Sequence, residues 1–384
     1  MVIIMIYFDC AATSLYKPET VAKAVCDAFQ SVGNSGRGAH EAALSAGRVI
    51  LQTREALSDL FRVGDPARVV FTSNATESLN IAIQGLLKPG EHCITTVMEH
   101  NSVLRPLYHM EKLGVQLTVL PLDSKGYVTP SQVERAIKHN TRAVVLTHAS
   151  NVTGNENDIQ AIGEVCRKNQ LLLILDASQT AGLLPIDTKK MNLAVLCCSG
   201  HKSLLGPQGT GILALGEGVI PGPLKAGGTG MDSYSHEMPI KLPEALEAGT
   251  LNIHGLAGLL AACHYIEEVG QENIYRKAIR LAEIFIEEVR SIPGIRLYGD
   301  IDASHRVPVV ALNLREVASG ELADELSQRF GIATRAGAHC APLLHESYQT
   351  VDQGMVRFSF SHYNTEQEIW EAISALRLLE EEYR

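Results

Sequence analysis

The sequence has no CxxC pair and no regular cysteine spacing. Its eight cysteines stand at 10, 26, 93, 166, 197, 198, 263 and 340, a scatter that suggests neither a zinc site nor a disulfide framework. The expectation is a reducing, cytoplasmic compartment. Positive charge is also in deficit. Lys plus Arg number 33 against 43 Asp plus Glu, a net charge of −10, which disfavours non-specific nucleic-acid binding and a broad basic membrane face. Long apolar runs are missing. The apolar start, residues 1–8, lacks a basic flank and is too short for a signal peptide or a membrane span. No low-complexity tract, internal repeat or long linker is visible. What remains is an ordinary globular balance, 46% hydrophobic and 20% charged over 384 residues, enough for one large core and a smaller one.

From about residue 18 to 290, short β-branched or apolar runs alternate with helical patterns. Strand-like runs fall at 68–72, 116–120, 143–147, 171–175 and 195–199, and helical ones at 78–87, 102–113, 130–138 and 158–169. This alternation predicts an α/β fold with a mainly parallel sheet covered on both faces, and ligands at the carboxyl ends of its strands. After about 290 the pattern changes to strands at 295–298, 307–314 and 355–361 with helices at 321–329 and 366–382, a smaller α+β unit. We place the boundary at Pro293-Gly294, giving units 1–292 and 293–384, with segment 1–17 expected to pack on the smaller one. A long helical pattern over 255–290 bridges the two.

Three segments carry candidate chemistry. The run 171–175 ends in Asp176, at the sheet edge where ligands bind. An Asp there caps the next helix, or pairs with a buried cation on a ligand. Lys202 follows in Ser199-Gly200-His201-Lys202, 26 residues after Asp176 and about one strand–helix–strand step away. A loop lysine is ordinarily a solvated surface residue. A Lys and an Asp converging on one heterocycle are, however, what pyridoxal 5'-phosphate requires: the lysine bonds the cofactor, and the carboxylate keeps the pyridine nitrogen protonated. Ser73-Asn74-Ala75-Thr76-Glu77-Ser78 follows a strand and opens a helix, either a plain N-cap or an anion site for a phosphate.

The ordered set of segments resembles the class V, aminotransferase-like pyridoxal-phosphate enzymes, and within them the cysteine desulfurases and selenocysteine lyases. It comprises Tyr7-Phe8-Asp9-Cys10-Ala11-Ala12-Thr13, Asn74-Ala75-Thr76-Glu77, Glu99-His100-Asn101, Ser150-Asn151-Val152-Thr153-Gly154, Asp176-Ala177-Ser178-Gln179, Ser199-Gly200-His201-Lys202, Glu247-Ala248-Gly249-Thr250, Arg335-Ala336-Gly337-Ala338-His339-Cys340 and Val356-Arg357-Phe358-Ser359. The resemblance implies an aspartate-aminotransferase-like fold, with a seven-stranded large sheet, a small C-terminal α+β unit and a homodimer. It implies that Lys202 bonds the cofactor, Asp176 pairs with the pyridine nitrogen, Gln179 meets the ring hydroxyl and His100 stacks on the ring. Ala75, Thr76, Ser199 and His201 would hold the phosphate, with Thr250 reaching it from a partner subunit. Asn151 and Arg357, with Arg335 and Arg37, would hold the substrate carboxylate, for which a guanidinium fork is well suited.

Cys340 selects the reaction. The other seven cysteines read as small buried hydrophobes. Cys340 lies in a Gly/Ala/His loop after Arg335 and His339, two cations that would favour its thiolate. The stretch 336–352 has few structure formers and reads as a loop over a cleft. The resemblance implies removal of sulfur from L-cysteine, or selenium from L-selenocysteine, leaving alanine, with a separate acceptor protein as in the short-loop, type II branch. A class V transaminase or β-lyase with an idle Cys340 is the alternative. Three departures stand out: Cys10 where relatives usually have Asn, Leu251 where many have Pro, and Gly36 where many type II members have His.

Overall fold

The computed structural model describes residues 5–35 and 38–384. Gly36 and Arg37 therefore lie outside the described residues, as do residues 1–4 of the apolar start. The main sheet has seven strands in the order Val69–Thr72, Gly211–Leu215, Val195–Ser199, Leu172–Asp176, Thr141–Thr147, His92–Thr96 and Gln116–Leu120. The last five run parallel to one another, and only Gly211–Leu215 opposes its two neighbours. This is the expected α/β fold.

The apolar runs divide by the two-residue period of a strand. Val144, Leu146, Leu173, Leu175, Leu196 and Cys198 enter the core on one face of the sheet. Val145, Ile174, Val195, Cys197 and Leu213 enter the core on the other. Burial on both faces is why these strands read as continuous hydrophobic stretches.

Two strands escape the sequence pattern. His92–Thr96 opens on a histidine that is fully buried; its ring nitrogens lie 2.8 Å from Thr141 Oγ1 and 2.8 Å from Thr118 Oγ1. Gly211–Leu215 begins with a glycine because the chain passes very close to its neighbour. A Cβ on Gly211 would lie 2.4 Å from Thr72 Oγ1 and 2.5 Å from the Asn74 carbonyl carbon. The pattern over 255–290 is two helices, Ile253–Val269 and Gln271–Val289. They break at Gly270, whose φ of 85° belongs to the left-handed side that favours glycine.

The second sheet is antiparallel, in the order Arg335–Gly337, Met355–Ser359, Val309–Leu314, Ile295–Leu297. Its core gathers Leu312, Val356, Phe358 and Ile373 with Phe285 and Val289 from Gln271–Val289 and with Ile6 and Phe8 from the chain start. Strand Ile6–Tyr7 pairs in parallel with Ile332–Ala333, and the Ser359 N–H donates to Phe8 O at 2.8 Å. The rings of Phe8 and Phe360 meet edge to face, centroids 5.0 Å apart.

The stretch 336–352 is more ordered than a covering loop. Strand Arg335–Gly337 leads through a short turn holding Cys340 into helix Pro342–Tyr348, whose first position takes the proline. No helix among the described residues is long and apolar enough to cross a membrane.

Gly211 sets how closely the helix Ala75–Leu86 sits over the sheet edge. Gly211→Ala should lower the free energy of unfolding by about 1–3 kcal/mol, the usual cost of overpacking, as read from urea denaturation. Unchanged stability would contradict the close approach.

Candidate active site

The carboxyl ends of the parallel strands open into a cavity of about 390 Å³, whose lining includes Ala75, Thr76, His100, Asn151, Asp176, Gln179, Ser199, His201, Lys202, Arg335, Cys340 and Arg357. Twelve of the fourteen expected site residues thus meet in one place. Thr250 does not: it is exposed and lines a different cavity beside Arg54 and Glu247. Arg37 is the other.

Asp176 ends its strand and is buried. Its Oδ1 accepts from the Ser178 N–H at 3.0 Å and from the Ser178 hydroxyl. Lys202 lies beyond the end of the next strand, Val195–Ser199, and burial pushes its ammonium pKa down to about 8, with Asp176 opposing and Arg357 reinforcing the shift. At pH 7 about a tenth of the amine is then uncharged, far more than for an ordinary lysine with a pKa of about 10.4. His100 caps the helix Asn101–Lys112, its Nδ1 accepting from the Ser102 N–H at 3.0 Å. Burial, aided by the Lys202 charge, lowers its pKa to about 4, so at neutral pH the ring is uncharged. His201 is lowered to about 4 for the same reasons, with its Nδ1 3.0 Å from Thr13 Oγ1.

At the far end of the cavity the helix Ala75–Leu86 begins, capped by Asn74, which accepts from the Glu77 N–H at 2.9 Å. Ser199 Oγ accepts from the Ala75 N–H at 3.1 Å, and Thr76 Oγ1 lies 2.8 Å from Ser102 Oγ. Hydroxyls around a helix N-terminus suit a dianionic phosphate. Gln179 donates its amide to Ala11 O at 3.1 Å, which turns the side chain along the cavity wall.

Arg357 stands in the strand Met355–Ser359 yet is 2% exposed, unlike an ordinary outward-facing strand arginine. Its Nη2 donates to Asp9 Oδ1 at 2.9 Å and its Nη1 to Asn151 O at 3.0 Å, while Nε has no acceptor among the described residues. Arg335 grips the same carboxylate, with Nε and Nη2 at 3.0 and 2.8 Å from Asp9 Oδ2. Asp9 is the residue that sequence reasoning passes over, although it stands inside Tyr7-Phe8-Asp9-Cys10. The only signal was a carboxylate closing a short apolar strand, and its two partners lie more than 300 positions away.

Cys340 is exposed and sits at φ 56° after His339 at φ 49°. The turn is held from both sides: the Asn101 N–H donates to Cys340 O at 2.7 Å, and Asn151 Nδ2 donates to His339 O at 2.8 Å. His339 is not the cation expected beside the thiol. It is buried with Nε2 against Met355 O at 3.0 Å, and burial, with Arg357 nearby, pushes its pKa well down, so it is neutral. Nor are the other seven cysteines uniformly buried. Cys26 faces solvent from the outer side of Glu19–Ser31, and Cys10 is half-buried.

A buried carboxylate, an amine of lowered basicity, a neutral imidazole and a helix N-terminus around one cavity are the donor set of a pyridoxal-phosphate enzyme, and the residues present fit that cofactor. A family profile described as Aminotransferase class-V matches residues 6–371. The chain belongs to this family. Within it, the chain is similar to a probable cysteine desulfurase of Methanothermobacter thermautotrophicus, 32% identical over 95% of this chain and 92% of that one. It is 31% identical to the cysteine desulfurase IscS of Vibrio atlanticus, over 97% and 92% of the two chains. The solved apo structure of a cysteine desulfurase from Thermococcus onnurineus superposes with a TM-score of 0.91 at 29% identity, covering 98% of this chain and 95% of that one.

Removing one partner of a buried ion pair leaves the other charge uncompensated. Asp9→Asn should therefore cost about 3–5 kcal/mol of stability, measured by chemical denaturation. A loss below about 1 kcal/mol, the range of exposed pairs, would contradict the role given to Asp9.

Proposed function

We propose that this chain is a pyridoxal-phosphate-dependent cysteine desulfurase, converting L-cysteine to L-alanine and leaving a persulfide on Cys340. The observation that carries the reading is that Cys340 lines the same cavity as Lys202, Asp176 and Arg357. An idle cysteine would have no reason to be exposed there, in a turn pinned by Asn101 and Asn151.

The cofactor, when bound, supplies an electron sink for charge developing at the substrate Cα. Lys202 holds the cofactor and then takes the Cα proton, a task matched by a pKa near neutrality. Asp176 holds a proton at the pyridine nitrogen. His100 packs an uncharged ring in the cavity, and Ala75, Thr76, Ser199 and His201 anchor the phosphate. Arg357, oriented by Asp9 and backed by Asn151, receives the substrate carboxylate, with Arg335 beside it. Cys340 Sγ, as thiolate, bonds to the substrate sulfur. The Cβ–S bond breaks with its electron pair passing to the carbon side, and protons return to give alanine. Sulfur ends at the zero-valent level on Cys340, and no outside oxidant is required.

The protein works as a homodimer in this reading, with Thr250 completing a partner's phosphate site. Support comes from the exposed apolar residues Leu51, Met231, Tyr234 and Ile240, of which Leu51 and Met231 line the Thr250 cavity. The persulfide passes to a separate acceptor protein in a reducing cytoplasm.

The test is Cys340→Ala. With cysteine it should abolish alanine formation, because sulfur needs a nucleophile. With selenocysteine it should retain much of the activity, because selenium leaves a carbanion more easily. Alanine release from both substrates decides it. Full cysteine turnover by the variant would sink the desulfurase mechanism and favour a transaminase or β-lyase.

A further inference from the structure

Glu99 is wholly buried at the turn between His92–Thr96 and Asn101–Lys112, immediately before His100. None of the steps above uses it. Thr96 Oγ1 donates to its Oε1, and the Thr147 N–H also reaches the carboxyl group. Thr147 is the register partner of Asp176 on the neighbouring strand. Glu99 therefore spans from the His100 turn to the strand end beside Asp176. Among the described residues its Oε2 has no hydrogen-bond donor, and no Lys, Arg or His forms an ion pair with it. The titratable groups that act on it are Asp176, across on Leu172–Asp176, and Cys93, on His92–Thr96; neither is a cation. An ionised carboxylate in such a place would be a buried anion facing a second anion.

We propose that Glu99 works as an uncharged carboxylic acid, a positioning residue that fastens the His100 turn to the strand end carrying Asp176 and leaves Asp176 as the sole anion there. The electrostatics agree. Burial lifts the Glu99 pKa to about 8; hydrogen bonds from Thr96 and Thr147 hold it back, and the Asp176 charge adds to the rise. The ordinary value for a glutamate is about 4.3. Between those two values the folded protein keeps a proton that the unfolded chain has released, so this residue's contribution to stability falls as pH rises through that window and levels off above it.

Glutamine has the shape of the protonated acid and carries no titrating proton, and this makes the claim testable. The melting temperature of Glu99→Gln relative to wild type should rise steadily from pH 5 to pH 8 and then level. Infrared difference spectra should show a protonated carboxyl band in wild type at pH 7 that Glu99→Gln lacks. Glu99→Ala should lower alanine formation at least tenfold, with Glu99→Gln restoring it. A melting-temperature difference that stays flat or falls with pH, or the absence of a protonated carboxyl band, would show an ionised Glu99 and overturn the proposal. If Glu99→Ala fails to fold, the pH series and the spectra decide alone. Neither readout depends on which reaction the enzyme performs.

Discussion

A buried guanidinium needs a buried anion, and the structure is organised around meeting that need for Arg357. The partner is Asp9, brought to it from the opposite end of the chain. For Asp9 to arrive, Ile6–Tyr7 must pair with Ile332–Ala333, Phe8 must enter the aromatic cluster with Phe285, Phe358 and Phe360, and the Ser359 N–H must bond to Phe8 O. Taking a charge out of water costs several kcal/mol before pairing, so the surrounding apolar contacts offset that cost and fix the geometry together. The same carboxylate also accepts from Arg335, and among the described residues Nε of Arg357 has no acceptor. A carboxylate-bearing substrate would meet a guanidinium already held in place, which reduces the ordering that binding must pay for.

Across the cavity the same economy of charge is visible at the strand ends. Lys202 is held near its titration point, His100 and His201 are neutral, and Asp176 takes its hydrogen bonds from Ser178. Each state follows from depth in the fold. Groups set at the ends of strands buried on both faces lose water, and only those with a specific partner keep a charge. Cys340 differs by being exposed and lying on a turn pinned at its backbone. It both lines the cavity and reaches solvent, as the proposed acceptance and delivery of sulfur would require.

Much of this was legible in the sequence because parallel strands buried on both faces are written as uninterrupted apolar runs, and because the ends of those runs carry Asp176 and Ser199-Gly200-His201-Lys202. Strands that owe their place to side-chain hydrogen bonds or to close backbone approach were not legible. His92 is polar by composition and buried by its two threonine partners, and Gly211 has no side chain to report its strand. The break at Gly270 was hidden inside a continuous amphipathic pattern. At the site, the residues with unusual chemistry could be named. The state of His339 could not, because its neutrality comes from burial against Met355 O. Asp9 was invisible as a site residue because its meaning lies in two arginines far along the chain.

The reaction is decided by where the sulfur goes first. Holoenzyme mixed with an equal amount of L-cysteine, without acceptor or reductant, quenched within one turnover and digested for peptide mass analysis, reads this directly. The expected result is one added sulfur atom on the peptide containing Cys340, in step with the alanine released, and none on the peptides of the other cysteines. Alanine formed with free sulfide and an unmodified Cys340, or a persulfide on a different cysteine, would contradict it.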